Sequence, residues 1–367
     1  MYLKKLTLLN FKNCSDVVLN FSEDVICFLG NNGQGKTNIL DAIFYLSYTK
    51  SYFSSIDSHN IQFGLPFFVI SGEFKLHNDI VSLNCAVKQG KKKQFRRDKQ
   101  IYTKLAEHIG EFPVVMITPY DINLILEGSD IRRKFIDSLI SQFNRKYLDS
   151  LIDYNKLLQQ RNITLKKWSD TGINQKSLLD VIDFQLISKG EYIHEIRNNF
   201  LIDFIPEFSS YYKNIAQSDE NVELIYQSAL NNNNFKDILK TNLQKDIKLR
   251  YTSEGIHRDD LLFKIHNYPL KKYGSQGQQK SFLIALKLAK LNFIKKKKEY
   301  YPILLLDDIF DKLDDDRVSY LINLIKDGEL GQVFITETSL SRIPDILSKL
   351  KIKHQAFKIK DGKSIDI

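Results

Sequence analysis

The sequence predicts an α/β fold, a mixed sheet with flanking helices, interrupted by an inserted α-helical lobe. Three observations carry that prediction. A glycine-rich loop, "GNNGQGKT", stands between a strand-like run and a helical one early in the chain. A second apolar run, "YPILLLDD", ends in paired aspartates, and 271 residues (307 − 36) separate Lys36 from Asp307. The stretch between the two is dominated by helical periodicity.

Residues 1–116 read as strands and turns apart from one helix. "LKKLTLLNFKN", "DVVLNF" and "DVICFLG" look like successive strands, and "FFVISGEFKL" with "DIVSLNCAVKQ" like a further pair. The "KQGKKKQFRRDKQ" stretch that follows reads as a charged hairpin or loop. From about residue 131 the pattern turns helical: Ile131, Phe135, Leu139 and Phe143 recur every four residues. Leu179, Ile182, Leu186, Ile196, Phe200 and Phe204 mark a second helical stretch, with "WSDTGINQ" as the turn between and the "NNNN" run as the end of the lobe. Strand-like sequence returns at "DDLLFKI", so the expected division is residues 1–118 plus 256–367 against 119–255.

The loop fits G-x-x-x-x-G-K-[ST]. Placed at a helix N-terminus, the backbone N–H groups of Gly30, Asn31, Asn32, Gly33, Gln34, Gly35, Lys36 and Thr37 form a nest for a polyphosphate. Lys36 reaches the β- and γ-phosphates, and the Thr37 hydroxyl ligates Mg²⁺. Asp307, at the tip of the buried strand, is the second Mg²⁺ ligand, and Asp308 is placed to act as general base. An aspartate is one methylene shorter than a glutamate, so slow hydrolysis is expected. An acidic turn is the bland alternative, since Asp311, Asp314, Asp315 and Asp316 follow. "YGSQGQQKS" opens another long helix. Ser275, Gln276, Gly277 and Gln278 read on their own as an ordinary helix cap, with a second anion-binding helix end as the alternative.

Bulk properties narrow the partners. A formal net charge of +9 favours an acidic polymer or surface. Lys91, Lys92, Lys93, Arg96 and Arg97 cluster around Phe95, and Lys295, Lys296, Lys297 and Lys298 form a second basic run; each reads either as a surface for nucleic-acid phosphates or as an ordinary solvated loop or helix end. No recognition helix or zinc module is evident, so binding should follow DNA structure rather than sequence. Cys14, Cys27 and Cys85 are far apart and never C-x-x-C, which argues against disulfides and structural zinc. No apolar run approaches the roughly 20 residues a membrane helix requires, and the expected location is cytoplasmic.

Six ordered blocks resemble the ATPase heads of the ABC/SMC group, and within it the RecF family of recombination mediators. They are "LKKLTLLNFKNCSDVVLNF", "GNNGQGKTNILDAIFYLS", "TPYDINLILEGSDIRRKFID", "GIHRDDL", "YGSQGQQKS" and "LLLDDIFDKLD". The resemblance implies a P-loop NTPase of ABC-ATPase head type. It reverses the reading of Ser275 and Gly277, since in such heads this element meets the γ-phosphate held by the other subunit. Two ATP molecules are then sandwiched in a head-to-tail, ATP-dependent homodimer. The resemblance further implies double-stranded DNA and single/double-strand junctions as ligands, with RecR, RecO and RecA as partners in gap repair, replication restart and the SOS response. Three departures stand out. Asp311 replaces the usual serine, "VFITETS" stands where transporters carry a switch histidine, with Thr336 nearest to it, and Ile256 replaces a proline. Rivals are an ABC-type subunit driving another machine, and a DNA-binding protein with a vestigial nucleotide site. "HRDD" does not make a kinase loop, because Lys264 stands where asparagine is needed.

Overall fold

Two six-stranded sheets make up the unit that holds the glycine loop in the computed structural model, which describes residues 1–366. They belong to one unit, Met1–Asp121 with Lys280–Ile367; Ile122–Gln279 forms a second. The first sheet is antiparallel, in the order Cys14–Asn20, Tyr2–Phe11, Phe67–Leu76, Asp79–Lys88, Gln94–Arg97, Gln100–Ile101. The second runs Lys363–Asp366, Gln355–Lys360, Val25–Leu29, Val333–Glu337, Ile303–Asp307, Val114–Ile117, all parallel except the first pair.

The three central parallel strands are buried at every residue. A parallel sheet covered on both faces requires such uninterrupted apolar runs. The helix Lys36–Tyr48 is buried at eleven of its thirteen positions. Its Ile39, Leu40 and Ile43 join Leu3, Leu6 and Leu8 of the antiparallel sheet and Ile26 and Phe28 of the parallel one in a single core. Parallel register puts Asp307 beside Thr336, and Glu337 beside Leu29. The carboxyl ends of three strands therefore meet at one rim, where ligands of open α/β sheets bind.

The charged "KQGKKKQFRRDKQ" stretch, expected as a hairpin or loop, contains both: a loop at residues 89–93 and a hairpin of Gln94–Arg97 with Gln100–Ile101. Arg97 pairs with Gln100, and Asp98 and Lys99 both take positive φ (47° and 72°), as a tight two-residue connection demands.

The second unit is mainly helical: Ser129–Ile140, Arg145–Thr171, Lys176–Ala216 and Phe235–Leu249, with a three-stranded antiparallel sheet. The expected turn lies between the two long helices, where Gly172 at φ 69° caps the first through its N–H to the Trp168 carbonyl. Buried arginines stitch this unit together. Arg161 bonds Asp183 and Asp246, and Arg197 bonds Asp137 and Asp259.

The expected re-entry at residue 256 is corrected by the strand pairing. Asp260–Ile265 pairs with Val222–Gln227 inside the second unit, and its alternating burial is that of a sheet with one face covered. The chain re-enters the first unit at Lys280, within the helix Gln276–Lys298, and the other boundary falls after Asp121. Val222–Gln227 and Phe235–Leu249 are elements the sequence reading omitted.

Candidate functional site

The loop leaves the strand Val25–Leu29 at Gly30, whose φ is 143° and whose N–H donates to the Glu337 carbonyl at 3.2 Å. A Cβ here would stand 2.5 Å from the Ile359 carbonyl oxygen, so only glycine allows the approach. Gly35, at φ 108°, caps the following helix above the Asn13 side chain, which also accepts from Asn38 Nδ2 at 2.7 Å. Gln34 ties the far side of the loop down: its Oε1 accepts the Asp361 N–H at 2.7 Å, and its carbonyl the Gly362 N–H at 2.9 Å.

Lys36 is 6 % exposed and donates to the carbonyls of Gly30 (2.6 Å) and Asn31 (3.0 Å). Burial holds its ammonium below the ordinary lysine value, against the attraction of Asp308 and Asp307. Thr37 donates to Asp307 Oδ1 at 2.8 Å, and Thr336 donates to the same oxygen at 2.9 Å. Burial raises the Asp307 carboxyl, while these two hydroxyls pull it back. The next residue, Asp308, sits at φ 50° and donates its N–H to Thr336 Oγ at 2.9 Å. Its Oδ1 is buried without a hydrogen-bond partner.

Asn32, Gly33, Gly35, Lys36, Thr37, Asn38, Asp308 and Thr336 bound a hollow of about 170 Å³. A second hollow of about 310 Å³ is lined by Gly30, Asn31 and Gln34 together with Lys358, Lys360 and Asp361. The structure thus gathers residues 30–37, 307, 308 and 336 at one rim. Glu337 and Arg342 were not foreseen. Glu337 lies inside "VFITETS" beside Thr336, and nothing in its spacing announces a carboxylate at a strand end.

Ser275, Gln276, Gly277 and Gln278 stand on the other unit. Ser275 and Gln278 form a reciprocal capping box, Ser275 N–H to Gln278 Oε1 at 2.8 Å and Gln278 N–H to Ser275 Oγ at 3.2 Å. Gln278 Nε2 also donates to Glu220 at 2.7 Å. Ser275 and Gln276 are exposed at the tip of the helix.

The basic hairpin needs one correction. Lys91, Lys92 and Arg96 are exposed, and Arg97 is partly so. Lys93 is folded inward: its ammonium donates to the Thr49 carbonyl (2.5 Å) and Tyr45 hydroxyl (3.2 Å) and pairs with Asp57 at 2.9 Å. It is an anchor between the hairpin and the loop helix rather than part of an exposed basic face.

The RecF/RecN/SMC N terminal domain model matches residues 2–359. The "DNA replication and repair protein RecF" of Flavobacterium johnsoniae is 45 % identical over 359 residues, covering 98 % of this chain and 99 % of the relative. The chain belongs to the RecF family. RecF of Phocaeicola vulgatus is 43 % identical, over 99 % of this chain and 97 % of its own. A solved structure described as the recombination mediator protein RecF with ATP, in the RecFOR pathway, is 32 % identical with a TM-score of 0.91, covering 100 % of this chain and 97 % of its own. An Smc head domain from Pyrococcus furiosus, at 20 % identity and a TM-score of 0.57, shares the fold. This RecF-family chain therefore has the expected α/β P-loop fold of the ABC-ATPase head. Among the described residues no helix is long and apolar enough to cross a membrane.

Proposed function

We propose that this chain is an ATP-gated DNA clamp of replication and repair, a recombination mediator that dimerises on ATP and hydrolyses it slowly. The single observation that carries the nucleotide half is the hydrogen bond from Thr37 to Asp307 at 2.8 Å, which unites residues 270 positions apart. The two oxygens face one another at the mouth of a glycine loop, the donor set a hard cation takes. The buried, partnerless Asp308 Oδ1 is a further group in want of a ligand.

In this reading Lys36 turns from the two loop carbonyls toward the terminal phosphates, and the loop N–H groups hold the remainder. Thr37 and Asp307 hold Mg²⁺, which neutralises phosphate charge. Asp308 orients the attacking water and takes its proton, and Thr336 keeps Asp307 and Asp308 in fixed relation. Ser275 and Gly277, with Gln276 and Gln278 bracing the helix tip, serve the nucleotide of a partner copy, so each chain carries two half-sites. Nucleotide then drives association and hydrolysis releases it. Lys91, Lys92, Arg96 and Arg97 contribute to a basic face for duplex DNA and single/double-strand junctions, read through backbone phosphates. RecR and RecO act with it in loading RecA at gaps.

Subunit mixing tests the shared site. Lys36→Ala and Ser275→Arg each disable a different half-site, so their heterodimer retains one intact composite site. The mixture is expected to hydrolyse ATP faster than either variant alone. No gain on mixing rejects the composite site. The DNA half is tested by filter retention of duplex DNA, expected to require ATP in the wild type.

A further inference from the structure

Beside the loop, three carboxylates converge from separate elements. Asp308 follows the strand Ile303–Asp307, Asp311 lies in the short turn Phe310–Lys312, and Glu337 ends the strand Val333–Glu337. Each brings one carboxylate oxygen within 4.8 Å of the other two. Oxygens on opposite sides of one hard divalent cation lie roughly 4 to 5 Å apart, so the spacing suits a shared ion.

Acidic clusters at a surface are usually solvated, and Glu337 separates this one from them. It is 1 % exposed, yet its Oε2 has no hydrogen-bond partner. Its other oxygen is occupied by the N–H groups of Thr338 (2.7 Å) and Ser339 (3.2 Å). An ionised carboxylate oxygen kept from water without a donor is costly. Asp308 Oδ1 is in the same condition. The Thr338 hydroxyl bridges the group, donating to Asp311 Oδ2 at 2.8 Å from within 3.2 Å of Glu337 Oε1.

Charge points the same way. Asp307, Asp308, Asp311 and Glu337 bring four formal negative charges, against which stand Lys36 and Arg342. Lys36 is turned to the Gly30 and Asn31 carbonyls, and Arg342 reaches Asp311 Oδ1 alone, at 2.9 Å.

We propose that in the nucleotide-free protein Asp308, Asp311 and Glu337 bind a divalent cation of the Mg²⁺ and Mn²⁺ class, at a position separate from the one Thr37 and Asp307 share, and that Asp308 leaves this ion to act as base once nucleotide is bound. Water completes its coordination. Because the Glu337 carbonyl also receives the Gly30 N–H, an ion here braces the first residue of the loop against the acidic strand end. Arg342 competes with the cation for Asp311.

The site is measured without nucleotide, so its result is independent of subunit mixing. Nucleotide-free protein is titrated with Mn²⁺ and the free ion is followed by electron paramagnetic resonance. Wild type and Thr37→Ala are expected each to retain one Mn²⁺. Glu337→Gln and Asp311→Asn should bind at least about tenfold more weakly, the scale on which metal sites respond to loss of a supporting group. Arg342→Ala should bind more tightly. Asp311 is partly exposed, so Asp311→Asn remains a folded test if Glu337→Gln does not fold. The proposal is overturned if wild type retains no Mn²⁺, if Asp311→Asn binds as wild type does, or if Thr37→Ala abolishes retention.

Discussion

Thr336 bridges two aspartates that neighbour each other in sequence: its hydroxyl donates to Asp307 Oδ1 at 2.9 Å and accepts the Asp308 N–H at 2.9 Å. The pairing follows from parallel register, which sets Thr336 directly beside Asp307. Asp307 is pinned from both sides, by Thr37 on the loop helix and Thr336 on the adjoining strand. Asp308, at φ 50°, holds a left-handed backbone conformation that non-glycine residues adopt uncommonly, aspartate more readily than most. The threonine hydroxyl holds it there by accepting the Asp308 N–H.

Thr336→Val, which keeps the shape and deletes the hydroxyl, should leave the half-buried Asp308 N–H unsatisfied. The cost to stability is about 1–3 kcal/mol. Hydrolysis should fall by more than nucleotide affinity, and Thr336→Ser should restore both. Thermal melts with parallel single-turnover assays check this, and equal losses in binding and hydrolysis would rule out a role confined to orienting the aspartates.

Lys36 opposes folding while it is charged. Its folded-state value is depressed by burial, so between that value and the ordinary 10.5 the unfolded chain holds more protons. Stability then rises as pH rises through that window. Lys36→Met should leave the nucleotide-free melting temperature unchanged or higher, flatten the alkaline rise, and abolish the upward shift caused by ATP. Scanning fluorimetry with and without ATP across alkaline pH checks all three.

The two faces of the basic hairpin separate in the same way. Lys93→Ala breaks the Asp57 pair and the Thr49 contact, and should lower the melting temperature. Lys91→Ala with Lys92→Ala should leave melting unchanged, weaken duplex DNA binding uniformly across sequences, and reduce the salt slope by about 1 to 2. Titrations at several salt concentrations measure the slope.

Arg161 is fully buried and donates to Asp183, Asp246 and Thr252. Arg161→Ala strands the buried carboxylate of Asp246 and should cost the helical unit about 3–5 kcal/mol. Trp168, the one tryptophan in the chain, lies on the same helix, so its fluorescence in urea reports that loss.

The parallel strands were legible because burial on both faces leaves an unbroken apolar signature, as in "ILLL" of residues 303–306. The loop was legible because its geometry admits few residues, Gly30 against the Ile359 carbonyl being the clearest case. The strand Val222–Gln227 was not, since its partners lie 33 (260 − 227) to 43 (265 − 222) residues away and Leu224 alone of its six residues is fully buried. Lys93 misled for a related reason: a charge run carries no mark of which member turns inward, and Asp57 is remote in sequence. Glu337 went unseen because a carboxylate at the end of an apolar strand shows its neighbours only once the strands are laid side by side.

Two histidines, His108 buried and His257 half-buried, set the acid limit of stability. His108 Nε2–H donates to the Leu46 carbonyl at 2.6 Å, so its Nδ1 is the acceptor for the Tyr102 hydroxyl at 3.2 Å. His257 repeats the arrangement, with Nε2–H to the Thr252 carbonyl at 3.1 Å and Nδ1 accepting from Tyr154 at 2.9 Å. Burial lowers each ring from 6.5 to about 4, which keeps both neutral near pH 7 and fits this pattern of donor and acceptor. The unfolded chain takes up the protons first, so stability contributed by each neutral ring is full above pH 6.5 and is lost as pH falls toward 4. The loss amounts to about 3 kcal/mol per histidine. His108→Gln, whose amide can still donate to Leu46, should be less stable at pH 8 for want of the ring contacts with Phe95 and Phe112. Its stability should also decline less steeply with acid, by one proton's worth, about 1.4 kcal/mol per pH unit in mid-window. Urea unfolding from pH 8 to pH 4 measures the slope, and an unchanged slope in both His108→Gln and His257→Gln would mean that neither ring resists protonation.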